Sequence, residues 1–198
     1  MSEKFTSIFQ KASAPEARAK YLSRIFGIFS EEIVRVWASD PHSPYQDIGR
    51  PTLKKVGESK GATLDFTFLH KESGQLLVVE QKCEIEYQNF KYLVLNDLKQ
   101  LDHNKKDAFL ALLDAAAKRP NRLVFVNKKE VKIDGAILIW GAVTTEGRKR
   151  VMDAKGFFDI LTIEEIINDL QIWNSGPYRS LLEHRHLWAN EMFEALLG

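Results

Sequence analysis

Hydrophobic positions along the chain switch between helical and strand spacing. Over residues 14–39, Leu22, Ile25, Phe26, Phe29, Ile33, Val36 and Trp37 recur at steps of three and four, so they line one face of a helix. Ser13 and Glu16 have capping-box spacing with Pro15 in the first turn, and the run Asp40-Pro-His-Ser-Pro44 ends the helix. Residues 50–56 then read as a strand and 57–61 as a turn. Residues 63–69 alternate, with Leu64, Phe66 and Phe68 on one face and Asp65, Thr67 and Leu69 on the other. Lys71-Glu-Ser-Gly74 reads as a hairpin loop and residues 75–83 as the returning strand.

A long helical region is expected over residues 87–118, broken or kinked near Asp102-His-Asn104. Residues 122–127 and 136–143 are two more strands, and 157–160 is a short extended piece. Thr162 caps a further helix with Glu165 at the capping-box position, and Gly176-Pro177 breaks it. A last amphipathic helix carries Leu181, Leu182, Trp188, Met192, Phe193 and Leu196.

The order is helix, three strands, helix, strand, strand, with helical additions at the C-terminus. It predicts an α/β fold with a mixed sheet and helices on both faces. Antiparallel hairpins come first, then a helical crossover to a parallel strand. With 198 residues the chain is expected to form a single domain over 1–198. Its core spans about residues 15–143, and a strand and helical extension covers about 144–198.

Composition adds limits rather than a function. Hydrophobic residues make up 44% and charged residues 28%, as in ordinary globular proteins. The net charge of +1 removes the argument that a strongly basic chain makes for nucleic-acid binding; a local basic site is still compatible with it. One cysteine, Cys83, excludes a disulfide framework and a Cys-rich zinc site within the chain. The N-terminal residues lack the apolar stretch of a signal peptide, and no run approaches the ~18 apolar residues of a membrane span. A cytoplasmic protein with no membrane partner is expected.

Chemistry enters at the hairpin. The strand Gln75-Leu-Leu-Val-Val79 runs on into Glu80, Gln81 and Lys82 instead of ending in a turn residue. A four-residue loop sets Leu69 opposite Leu76, Phe68 opposite Leu77, Thr67 opposite Val78 and Phe66 opposite Val79. Asp65 then faces Glu80. A three-residue loop would set Asp65 opposite Gln81 and pair apolar residues less well. Like charges placed side by side are destabilising unless the site is wet or holds a cation. Lys82 shares the face of Glu80 by strand alternation. Two carboxylates and an ammonium at one sheet edge suit a hard divalent ion such as Mg²⁺ or Mn²⁺. An ordinary solvated strand edge carries Glu-x-Lys as well.

Asp65, fourteen intervening residues and then Glu80-Gln81-Lys82 resembles the motif of the PD-(D/E)xK nuclease superfamily. Leu64 stands at the motif's proline position. The helix, three strands, helix, strand order also resembles that family's αβββαβ restriction-endonuclease-like core. The resemblance implies an Mg²⁺-dependent endodeoxyribonuclease, with Mn²⁺ as a substitute ion, acting in restriction, defence or repair. Asp65, Glu80 and the Gln81 backbone carbonyl would hold the ion. Lys82 would orient the attacking water. The alternative is a catalytically weak or inactive scaffold of the same fold that binds nucleic acid or protein.

Further residues are candidates around this set. Glu32, at the margin of the first helix's apolar stripe, is a candidate acid for a second ion, and Glu31 points nearly opposite that stripe. Arg50, Lys54 and Lys55 precede or flank the hairpin and are candidate phosphate contacts. Gln88 with Tyr92 resembles an accessory exonuclease motif, although Tyr92 packed on the sheet is the preferred reading. Glu84 shares the parity of Glu80, and Cys83 has the opposite parity and reads as a buried hydrophobe. His184 and His186 lack metal-ligand spacing. The C-terminal helices are candidates for a homodimer contact.

Overall fold

The computed structural model describes residues 2–9, 16–82, 90–119 and 122–198. Six α-helices are described: α1 (Ser2–Phe9), α2 (Glu16–Ser39), α3 (Asp107–Ala116), α4 (Thr145–Lys155), α5 (Ile163–Ile172) and α6 (Gly176–Leu197). The strands are β1 (Tyr45–Asp47), β2 (Pro51–Lys55), β3 (Ala62–Thr63), β4 (Phe66–His70), β5 (Leu76–Lys82), β6 (Val94–Leu95), β7 (Arg122–Val126), β8 (Lys129–Val131), β9 (Gly135–Trp140), β10 (Ala142–Val143) and β11 (Asp159–Thr162). The fold is mixed α/β, as the element pattern predicts.

A five-stranded sheet runs in the order β1-β4-β5-β9-β11. The β1, β4 and β5 neighbours are antiparallel, whereas β5, β9 and β11 are parallel. Strand alternation divides the side chains of this sheet between two cores. Phe66, Phe68, Leu77, Val79, Ile137 and Ile139 face α2 and α5, together with Ile33, Trp37 and Ile166. Val78, Ala136, Leu138, Trp140 and Ile160 face α3, with Phe109 and Leu112. Trp37 also ties α2 to α5, through its indole N–H to the Asp169 carboxylate at 3.0 Å. α1, absent from the expected elements, adds Phe5 and Phe9 edge-on to Phe26 of α2.

The hairpin register follows the apolar pairing. Phe66 faces Val79, Thr67 faces Val78, Phe68 faces Leu77 and Leu69 faces Leu76. The His70 N–H donates to the Gln75 carbonyl across the loop, and Gly74 takes a φ of 71° that favours glycine.

Three expectations are corrected. Residues 63–69 are not one strand: β3 pairs with β2 in a second sheet of order β3-β2-β7-β8, and β4 begins at Phe66 in the first. The residues Leu64 and Asp65 make the changeover, with the Leu64 N–H bonded to Pro51 and the Asp65 N–H to Val79. The strand at 122–126 is not the parallel neighbour of the hairpin. β7 lies antiparallel to β2, and β9 takes the place beside β5. A two-residue loop, Asn127-Lys128, with positive φ at both residues, then turns β7 into β8.

The third correction is the long helix. Within its expected range, residues 90–106 are described as β6, a 3₁₀ turn at Leu98–Leu101 and connections, and only α3 is α-helical. Gln100 explains the departure. Its side-chain oxygen accepts the Asn96 and Asp97 N–H groups, and its amide nitrogen donates to the carbonyls of Lys91 and Val94. A buried glutamine that satisfies four backbone groups holds the segment in a turn that a helix would have to break. α4, also absent from the expected elements, starts at Thr144, whose hydroxyl accepts the Gly147 N–H, and stops at Gly156 in the left-handed region. The anticipated cap on α5 forms: the Thr162 hydroxyl accepts the Glu165 N–H at 3.0 Å.

Candidate active site

β5 lies between an antiparallel and a parallel neighbour that end at different heights. Pairing with β9 continues to Lys82 opposite Trp140, whereas pairing with β4 stops at Phe66 opposite Val79. The last residues of β5, Glu80, Gln81 and Lys82, therefore have one edge on β9 and one edge without a β4 neighbour. Asp65 fills that edge. Its carboxylate oxygen Oδ2 accepts the Gln81 N–H at 2.8 Å, where a strand partner's carbonyl would have been. A strand residue directs its N–H and its carbonyl to the same edge, so the Gln81 carbonyl shares this side with Asp65.

Asp65 and Glu80 are thus close, though not as a regular cross-strand pair. The other Asp65 oxygen accepts from Arg50 Nη2 at 3.2 Å, and Arg50 Nε approaches the Leu64 carbonyl at 3.4 Å. Glu80 points to the α3 face and is 4% exposed. Its Oε1 accepts from Lys82 Nζ at 2.6 Å. Its Oε2 is buried and has no hydrogen-bond partner. Burial, then the neighbouring Asp65 charge, holds the Glu80 carboxyl above the usual carboxylate range, and Lys82 and Arg50 pull it partly back. The four groups Arg50, Asp65, Glu80 and Lys82 sit at the carboxyl ends of the parallel strands, where open α/β sheets bind ligands.

Glu32 is not brought to this cluster. α2 packs on the opposite face of the sheet, and Glu32 pairs with Arg185 of α6. Glu31 pairs instead with Arg35, at 3.5 Å. The α2 residue that does reach the end of β5 is Ser30, whose hydroxyl accepts from Gln81 Nε2 at 2.7 Å. Nothing in the linear pattern singles out Ser30, because the contact depends on where α2 crosses the sheet. Lys54 and Lys55 lie at the end of β2 away from Pro51, the residue that meets Leu64. Lys54 rests over Phe125, and Lys55 approaches Glu58. Tyr92 packs against His103, with ring centroids 5.1 Å apart. Gln88, Cys83 and Glu84 lie outside the described residues.

The donor set suits a hard divalent cation. It offers two carboxylates, one of them with a buried oxygen that lacks a donor, and a main-chain carbonyl on the same edge. Among the described residues no group of three or more His, Cys, Asp or Glu side chains is placed to hold a metal, so water and carbonyl oxygens would have to complete the shell. A cavity of about 660 Å³ lies elsewhere, between α3 and the second sheet, and reaches Gly135 at the amino-terminal end of β9. It is at the other end of β5 from Glu80 and takes no part in the cluster.

No helix among the described residues is long and apolar enough to cross a membrane. Compared with protein-family models, with curated proteins and with solved structures, the chain matches none.

Proposed function

We propose that this chain is a divalent-metal-dependent phosphodiesterase that cleaves DNA, with Mg²⁺ as its ion and Mn²⁺ as a substitute. The observation that carries the reading is Glu80, a carboxylate 4% exposed, beside Asp65, with one oxygen lacking a donor. A cation between the two acids offsets both the desolvation and the like-charge repulsion. Asp65, Glu80 and the Gln81 carbonyl are the groups that would hold it. The bound ion would lower the pKa of its water and neutralise charge developing on the phosphate. Lys82, on the face of Glu80, would orient that water, and the half-exposed Arg50 would meet a phosphate oxygen at the mouth of the site. The αβββαβ core belongs to this reading. The succession of α2, the β4–β5 hairpin, α3 and the parallel β9 supports it. A cytoplasmic role in restriction, defence or repair fits such an activity.

The test is cleavage of supercoiled, linear and single-stranded DNA in Mg²⁺ or Mn²⁺ by the wild type, Asp65→Ala and Lys82→Ala. Metal-dependent cleavage by the wild type and its loss in both variants is the expected result. Equal cleavage by all three removes this cluster from the mechanism.

A second reading is a scaffold of the same fold with little activity. The observation that favours it is charge balance: Asp65 already meets Arg50, and Glu80 already meets Lys82. Titration calorimetry separates the two. Mg²⁺ binding that disappears in Glu80→Ala supports the enzyme, and no Mg²⁺ binding by the wild type supports the scaffold.

A further inference from the structure

Among the described residues, α6 packs against the protein on one side. Tyr178 is its buried residue, and Leu181, Arg185 and Ala189 follow it, half-buried, at helical steps. This stripe faces α2, with Arg185 on Glu32 and Phe193 against Tyr21, so the two helices run antiparallel. Ser180, His184, Leu187, Trp188, Glu191 and Ala195 are exposed and recur at steps of three and four on the outer side.

Leu187, 51% exposed, and Trp188, 52% exposed, stand at the centre of that strip. The indole is held in place. The Arg185 guanidinium sits 4.8 Å from its ring centroid, and the His184 ring stacks on it at 5.6 Å with an interplanar angle of 10°. A rigid, half-exposed tryptophan is the side chain that most often anchors a protein contact, because little rotamer freedom remains to be lost on docking.

The strip is also complementary to its own reverse. Reflected about the point between Leu187 and Trp188, these two residues exchange places, His184 falls on Glu191 and Ser180 falls on Ala195. A two-fold axis through that point would put apolar on apolar at the centre, imidazole beside carboxylate on each side, and small on small at the ends. Self-complementarity of this kind is the requirement of an isologous interface. Two helices crossing antiparallel also oppose their dipoles favourably.

We propose that the outer face of α6 docks a second copy of this chain, the two α6 helices antiparallel about an axis between Leu187 and Trp188. The proposal goes beyond the phosphodiesterase reading and does not depend on it.

Sedimentation velocity of the full chain over a range of concentrations tests it. A monomer–dimer equilibrium is expected, weakened at least about tenfold by Trp188→Glu and by Leu187→Glu, with the far-ultraviolet circular-dichroism spectrum of the folded chain unchanged. The register has its own test, in a Cys83→Ser background. Ser180→Cys mixed with Ala195→Cys forms an interchain disulfide under mild oxidation, and neither variant alone forms one. A wild type that stays monomeric, a dimer indifferent to Trp188→Glu, or a dimer without the mixed disulfide overturns the proposal.

Discussion

The Asp65 carboxylate accepts the Gln81 amide N–H at 2.8 Å, so the residue at which the chain changes sheets also closes the hydrogen bonding at the end of β5, in the sheet it enters. One side chain therefore has a structural role through Oδ2 and a charge role through Oδ1, which meets Arg50. Asp65→Ala removes both. It is expected to cost about 1–3 kcal/mol in urea unfolding, from the acceptor that Gln81 loses. Asp65→Asn keeps an oxygen acceptor and should cost less, while abolishing Mg²⁺ binding as fully as alanine does. Equal stability loss in the two variants would separate Asp65 from the Gln81 contact.

Glu80 sets a pH dependence whose sign follows from its raised carboxyl. Below the ordinary glutamate value of about 4.3 the group is neutral in both folded and unfolded chains. As pH rises through the folded value, ionisation costs more in the folded state, and the stability present at low pH is lost. At neutral pH without metal, Glu80→Gln should therefore raise the thermal midpoint, and the gain should vanish below about pH 4. Mg²⁺ should raise the midpoint of the wild type and leave that of the variant unchanged. A variant less stable than the wild type at neutral pH contradicts the raised carboxyl.

Glu32 lies on the other side of the sheet in a half-exposed ion pair with Arg185. Such a pair is worth roughly 0–1 kcal/mol. Glu32→Gln should change stability by no more than that, and its Mg²⁺ calorimetry should superimpose on the wild type. A loss of metal binding would bring Glu32 back to the cluster.

Gly147 is confined by backbone. A Cβ there would come within 2.4 Å of the Leu95 carbonyl and 2.7 Å of Asn96 Cα. Gly147→Ala is expected to destabilise by about 1–3 kcal/mol, because neither neighbour is a flexible side chain that can give way. Thermal unfolding measures it, and a neutral effect would mean that α4 can lift off the segment carrying Leu95.

The parts of the candidate site that were legible in the sequence are local. The hairpin register follows from three apolar pairs, a Thr–Val pair and a loop length, and a slip of one residue would have turned either Phe66 and Phe68 or Leu77 and Val79 out of the α2 core. Helix α2 and the Thr162 cap follow from periodicity and a hydroxyl at the right spacing. The segment holding β6 and the 3₁₀ turn departs from the helical pattern because Leu93, Leu95 and Leu101 are buried without belonging to an α-helix. Their period reflects contact with neighbouring elements, and Gln100 overrides the local propensity.

By itself, the sequence determined the α/β class, the hairpin and the placing of Glu80 and Lys82 on one face, because alternation along a strand is a property of neighbouring residues. Tertiary structure alone decided that the chain changes sheets at Leu64 and Asp65, that β9 rather than β7 lies beside β5, and that Glu32 turns to Arg185. Leu64 and Phe66 satisfy the same alternation whichever sheet they join. Which sheet each joins depends on how α2, α3 and the two sheets share one buried volume, and no single segment carries that information.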